Sequence, residues 1–215
     1  MISRDFHQDF FGDDAAACAG GVAYPAAEST LPGLAEAPTE PSSEGAFEKH
    51  WLHTLAHVLT EEIQELISAE KQVAAMLPRL AQAAADPILW AICQAEALQS
   101  VRQGQRLERM QALLGQQSDG RVCQQIENLV LGLEEIISEN QPGRPRDLAL
   151  VAAARKIKQF EIAGYCSARD FAQLLGLGAV VELLQQTIDD QTAMDARLGI
   201  YGEILATQSG QSEFR

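Results

Sequence analysis

The sequence predicts an all-α fold, a bundle of four long helices with one short crossover helix. Apolar residues make up 47% of the 215-residue chain and aromatic residues only 6%, and the abundance of Ala, Leu, Gln and Glu favours helices over strands. From Phe47 onward the apolar residues recur at steps of three and four, the period of a helix with one buried face. No segment shows the alternation of a strand. The length is sufficient for one well-buried core.

The first two long helices are predicted from this periodicity and from their capping residues. The first helix ends near Ala85, and Asp86 and Pro87 then suit the N-cap and the first position of a second helix. The second helix runs to Leu114 and is closed by Gly115. The buried stripe of the first helix comprises Leu52, Leu55, Leu59, Ile63, Leu66, Val73, Leu77 and Leu80.

Three further helices follow. A short amphipathic helix stops at the Pro- and Gly-containing loop 140–145. The third long helix is predicted over 147–175 and the fourth over 179–206, with Gly176 and Gly178 between them. Four long helices that are paired by short turns and joined by one longer crossover form the ferritin-like arrangement. A solenoid is the competing all-helical fold, but the sequence lacks the repeat period of solenoids. The apolar residues of the short helix are Val122, Ile126, Leu129, Leu133 and Ile136.

Residues 1–46 are predicted to form a flexible acidic arm, followed by the bundle over 47–208 and a polar tail over 209–215. The arm contains eight acidic residues and one basic residue, so it carries −7 of the chain's net charge of −14. Its stretch 26–43 has too few large apolar residues to offset the entropy lost on ordering. Phe6, Phe10 and Phe11 are suited to docking on a partner or on the bundle, and a frayed terminus is the alternative.

The charge and the cysteines bear on partners and location. Lys and Arg are scattered, so a nucleic acid is not expected as a partner, whereas an acidic surface suits a basic protein. The sequence shows neither a secretory signal nor a stretch long and apolar enough to span a bilayer. The four cysteines are Cys18, Cys93, Cys123 and Cys166. None of them forms a C-x-x-C pair, and the expected location is a reducing cytoplasm.

Polar side chains interrupt the buried stripe near the middle of every long helix. A buried charge costs several kcal/mol unless it is paired or bound to a metal. We therefore expect these side chains to meet one another in the centre of the bundle. In chain order they are Glu70, Glu96, Gln99, Gln103, Lys158, Glu161 and Gln191.

Two interpretations of this polar centre are open. A di-metal carboxylate site uses a Glu-x-x-His motif on two of its helices, but the sequence contains no Glu-x-x-His. In the first interpretation, Glu70, Glu96 and Glu161 are the ligands of a vestigial site or of a site for a single iron or manganese ion. We prefer the second interpretation, in which Lys158 replaces the charge of the metal and no cofactor or catalytic residue is expected. The amides that hydrogen-bond around it are Gln99, Gln103 and Gln191.

The histidines offer a weaker candidate site. His50, His53 and His57 share one face of the first helix at steps of three and four, a spacing at which two imidazoles bind one divalent ion. No carboxylate or cysteine is placed to complete the shell, so we interpret this face as solvated or packed against another helix.

The chain from Leu59 to Leu198 carries short motifs whose order and spacing together are specific. They are Ser-Ala-Glu-Lys-Gln at 68–72 followed by Leu77-Pro78, Arg-Leu-Glu at 106–108, Leu-Leu-Gly at 113–115, Phe-Glu-Ile-Ala-Gly-Tyr at 160–165, and Leu183-Leu184 with Thr187 and Asp195. In these motifs the sequence resembles the YciE/YciF family of ferritin-like bacterial proteins. The resemblance implies a crossover helix, pairing as homodimers and an association with stress responses.

The resemblance also implies site residues. Glu70 and Glu161 match carboxylates of the family's metal site. The positions that depart from the family pattern are Gln99 in place of Glu, Lys158-Gln159 in place of Glu-His, Gln191 in a run of three acids, and Glu96 in place of His. We therefore expect a non-catalytic member with a degenerate di-metal site that acts as a binding or scaffold protein, for instance by neutralising a basic toxin. The alternative is a protein that holds iron or manganese and carries out oxidase- or peroxide-related chemistry.

Overall fold

The computed structural model describes residues 43–115 and 121–210, and within these ranges the structure consists of five helices without a strand. They are α1 (Ser43–Ala83), α2 (Pro87–Leu114), α3 (Gln124–Glu139), α4 (Arg144–Leu174) and α5 (Gly178–Gly210). This confirms the predicted all-α fold with a short crossover helix, α3. The predictions for the linker 26–43 and for Phe6, Phe10 and Phe11 fall on residues that lie, almost entirely, outside the described ranges.

The capping residues that were predicted for α2 are present at both of its ends. Asp86 is extended and accepts a hydrogen bond at 2.8 Å from the backbone N–H of Ile88, and Pro87 follows in the first turn. At the other end Gly115 adopts a left-handed conformation with φ 63°, which a residue without a Cβ adopts at little cost. The sequence therefore determines where α2 begins and ends.

Three predicted boundaries need correction. Helix α1 begins at Ser43 rather than Phe47, so its first residues overlap the predicted arm. Helix α4 begins at Arg144 rather than Asp147, and Pro145 belongs to the helix rather than to the loop. Proline is tolerated in a first turn because the N–H that it lacks has no partner there. Helix α5 reaches Gly210, beyond the predicted end at Ala206.

The first turn of α4 holds the connection between α1 and α2. The Asp147 carboxylate accepts hydrogen bonds from the backbone N–H of Ala85, at 3.0 and 3.1 Å, and from that of Asp86, at 2.8 Å. The buried Arg146 side chain donates to the carbonyl oxygen of Ala83 at the end of α1. Helix ends leave backbone groups without partners, and these two side chains satisfy several of them across the bundle.

The helices form two hairpins, α1–α2 and α4–α5, that pack against each other through α1 with α4 and α2 with α5, while α3 lies on α1 and α4. The Ser68 hydroxyl accepts from the backbone N–H of Cys123 at 2.9 Å and ties the start of α3 to α1. Among the described cysteines, Cys93 and Cys123 are free and buried, whereas Cys166 is disulfide-bonded, contrary to the expectation of a reduced side chain there. None of the described helices combines the length and the apolar character needed to cross a membrane.

Candidate functional site: an ion-paired centre

The Lys158 ammonium group lies in the middle of the bundle and bridges three helices. It forms ion pairs with Glu96 of α2 and, at 2.8 Å, with Glu161 one turn farther along α4. It also donates to the side-chain oxygen of Gln191 in α5 at 2.8 Å. All four side chains are at most 4% exposed. An ammonium has three donors; hydrogen bonds to Glu161 and Gln191 use two of them, and Glu96 contributes its charge.

Glu70 of α1 occupies the other half of the centre. Its Oε1 atom accepts a hydrogen bond at 2.8 Å from the Tyr165 hydroxyl and one at 3.1 Å from the Gln191 amide. Gln191 also donates to Glu161 at 3.3 Å, so this amide joins the two halves. Lys158 itself does not contact Glu70 through a described hydrogen bond or ion pair.

Gln103 completes the surroundings of Glu70. When its amide is oriented so that the nitrogen faces the carboxylate, it donates to both Glu70 oxygens at 3.2 Å and accepts from Gln191 at 3.3 Å. This orientation follows from the hydrogen-bonding partners. Gln99 behaves differently, because it is only half-buried and its amide nitrogen has no hydrogen-bond partner among the described residues.

The electrostatics of the centre follow from burial and from the ratio of three carboxyl groups to one ammonium. Burial and, to a smaller extent, the neighbouring Glu161 raise the pKa of Glu70 to about 8, although Lys158 and the Tyr165 hydroxyl oppose the shift. Burial also raises the pKa of Glu161. Burial alone would lower the pKa of Lys158, but the surrounding carboxylates outweigh it, so that this pKa lies above its usual range. The lysine therefore remains charged at all physiological pH values.

These residues do not fit a di-metal carboxylate centre. Such a centre needs two carboxylates and two Glu-x-x-His pairs that converge, whereas here a fixed ammonium occupies the space between Glu96 and Glu161. In the described part of the chain, no group of three or more His, Cys, Asp and Glu side chains is placed to hold a metal ion. The cation that the carboxylates require is supplied by the chain itself.

The three histidines lie far from this centre, on the exposed first half of α1. His57 is 3.6 Å from Glu61, and Glu61 is already paired with Arg121 at 2.8 Å. Most of the side chains singled out in the sequence do converge, and Tyr165 is the participant that the sequence analysis missed. Its position four residues after Glu161 places it on the same side of the helix, but no role in the polar centre was predicted for its hydroxyl group.

The chain is similar to known proteins both in sequence and in structure. Residues 54–209 match a family described as a domain of unknown function, DUF892. The protein YciF of Escherichia coli (strain K12) is 29% identical over 151 residues, which cover 68% of this chain and 89% of YciF. The crystal structure of the E. coli stress protein YciF superimposes with a TM-score of 0.69 at 26% identity, over 71% of this chain and 97% of that one.

A second solved structure agrees. YcfI from Rhodopseudomonas palustris superimposes with a TM-score of 0.65 at 25% identity and covers 67% of this chain and 92% of its own. The sequence match and the two structural matches confirm the resemblance that the motifs between Leu59 and Leu198 indicated.

Proposed function

The chain belongs to the DUF892 family, and from that membership and its ion-paired centre we propose that it is a non-catalytic ferritin-like protein that acts by binding another protein. The observation that carries the proposal is the position of Lys158. Its ammonium is surrounded by Glu96, Glu161 and Gln191. A metal at this position would have to displace a buried, hydrogen-bonded cation, and breaking such a pair is costly.

The descriptions of two relatives agree in general terms with a non-catalytic role. YciF of E. coli is described as a stress protein, and YcfI of R. palustris is described as a candidate structural protein. We propose that this chain has a stress-related or toxin-neutralising role and that it functions in the cytoplasm. The partner that its charge suits is a basic protein, because the net charge of −14 produces a negative potential over the surface.

Metal analysis tests the non-catalytic part of the proposal. The protein is purified without chelator from cells supplied with iron and manganese, and we expect far less than one metal ion per chain. Lys158→Glu returns a carboxylate to the position of the ammonium, and we expect this variant to bind more metal than the wild type. One ion per wild-type chain that is lost in a Glu70→Ala, Glu161→Ala variant would instead establish an iron or manganese protein.

The partner is tested separately with the full chain. We expect a variant with Asp5, Asp9, Asp13 and Asp14 changed to Asn to lose the basic proteins that the wild type captures, and we expect the captured proteins to dissociate as salt rises. The matched control removes the same number of charges from exposed positions on the helices, by changing Glu108, Glu135, Glu139 and Glu182 to Gln. Equal losses in both variants would show that the arm has no special part.

A further inference from the structure

A cleft of about 200 Å³ opens between α1 and α2, and Glu70 is one of the residues that line it. Its walls combine polar side chains with the apolar residues Ile67, Ala74 and Leu107. Gly104 also lines the cleft, and no atom lies within 4 Å of the place where a Cβ would stand. The cleft is therefore an open space between the two helices that leads from the surface to the polar centre.

A buried hydroxyl in this cleft has no partner. Ser100 is only 5% exposed, it lines the cleft, and its Oγ atom makes no hydrogen bond to any described residue. Buried polar side chains are nearly always hydrogen-bonded. A ligand in the cleft that offers a donor to Ser100 would satisfy it.

Glu70 is the one carboxyl group of the centre that lacks a direct cationic partner among the described contacts. Lys158 pairs with Glu96 and Glu161, whereas the donors to Glu70 are the neutral side chains of Tyr165, Gln191 and Gln103. At the mouth of the cleft, Lys71 and Glu108 carry opposite charges. Above its pKa of about 8, the ionised Glu70 is therefore the group that attracts a cation to the cleft.

We propose that this cleft binds a small primary amine whose ammonium group contacts the Glu70 carboxylate and the Ser100 hydroxyl. The alkyl part of the amine lies along Ile67 and Leu107. The buried Lys158 shows that this interior accommodates an alkylammonium among carboxylates, and charge-assisted hydrogen bonds of this kind are the strong ones. The apolar residues of the walls favour an alkylammonium over an alkali ion. A carboxylate and a hydroxyl supply too few ligands for magnesium or calcium.

The test uses butylammonium chloride as the probe and titrates it calorimetrically into the full chain at constant ionic strength and at pH 9, where Glu70 is ionised. We expect saturable binding of one molecule per chain. Glu70→Gln keeps the shape of the side chain and removes its charge, and we expect it to weaken binding by at least about tenfold, the loss of a hydrogen bond to a charged group. Gly104→Leu fills the cleft without altering the polar centre and should abolish binding.

Gly132→Leu in α3 is the matched control, because it is also a helical glycine with open space around its Cβ position and it lies outside the cleft. This variant should bind as the wild type does. Absence of saturable binding, or binding unaffected by Gly104→Leu, overturns the proposal. Equal binding of 1-butanol would show an apolar cavity only, and equal competition by potassium chloride would show an alkali-ion site; either result overturns the amine assignment.

Discussion

The Lys158 ammonium lies 2.8 Å from the Glu161 carboxylate, one turn farther along the same helix and inside the bundle. Pairs at this spacing usually lie on the surface of a helix, where they contribute little. Here both groups are excluded from water, and Glu96 on a second helix shares the same cation. The chain thus carries its own counter-ion for the carboxylates in the middle of the bundle.

Replacing Lys158 by methionine is the most direct test of this arrangement. We expect the Lys158→Met substitution to lower the free energy of unfolding by about 3–5 kcal/mol, because it leaves buried carboxylates without a counter-charge. Denaturation by urea, monitored by circular dichroism, measures the change. The exposed Lys156→Met substitution on the same helix is the control, and it should alter the stability by less than about 0.5 kcal/mol. A similar midpoint for both variants would contradict the role assigned to Lys158.

A second change should restore part of that loss. Adding Glu161→Gln to Lys158→Met removes the carboxylate that is left unpaired and keeps an acceptor oxygen for the Gln191 amide. We expect the double variant to be more stable than Lys158→Met alone, with a coupling of about 0.5–3 kcal/mol in the double-mutant cycle. Additive losses would show that the two side chains act independently.

The helices and the presence of a polar centre could be predicted from the sequence because both depend on spacing along one helix. The pairing of Lys158 with Glu161 follows from their separation of three residues. The contacts of Lys158 with Glu96 and Gln191 depend on how the helices are aligned against one another. The periodicity of apolar residues within each helix does not determine that alignment. For the same reason the sequence placed Gln99 in the centre, although it lies half-exposed at its edge.

The stability of the protein should depend on pH through Glu70. Its pKa is about 8 in the folded protein and 4.5 in a free side chain, so between these values the folded state holds a proton that the unfolded state has lost. The free energy of unfolding should therefore fall as pH rises from about 5 to 8, by up to about 1.4 kcal/mol per pH unit from this group. Glu161 acts in the same direction, since burial raises its pKa as well.

Glu70→Gln isolates the contribution of that one carboxyl group. Urea denaturation at several pH values should show a shallower dependence for this variant, and its stability relative to the wild type should improve as pH rises towards 8. Glu108→Gln, an exposed change on α2, should leave the dependence unchanged. Parallel curves for the wild type and Glu70→Gln would mean that the carboxyl group of Glu70 does not titrate in this range.

Tyr165 should contribute through its hydroxyl group. Tyr165→Phe keeps the ring and removes the hydrogen bond of 2.8 Å to Glu70, and we expect a loss of about 1–3 kcal/mol. At pH 9 the loss should be smaller in a Glu70→Gln background, because Glu70 is then ionised in the wild type and the Gln side chain carries no charge. Tyr201→Phe is the matched change at another buried tyrosine, and it should show no such dependence on Glu70. An equal loss from Tyr165→Phe in both backgrounds would contradict the assigned contact.

Asp147 should stabilise the bundle from outside the polar centre. Its carboxylate accepts three hydrogen bonds from the N–H groups of Ala85 and Asp86 in the α1–α2 connection. Asp147→Ala removes these hydrogen bonds to a charged acceptor, at a cost of about 1–3 kcal/mol. Asp147→Asn keeps one acceptor oxygen and should lose less. Hydrogen exchange should show faster exchange at Ala85 and Asp86 in the Ala variant, with the amides around Lys158 unaffected. Uniformly faster exchange throughout the bundle would show instead that the contact governs global unfolding rather than this connection.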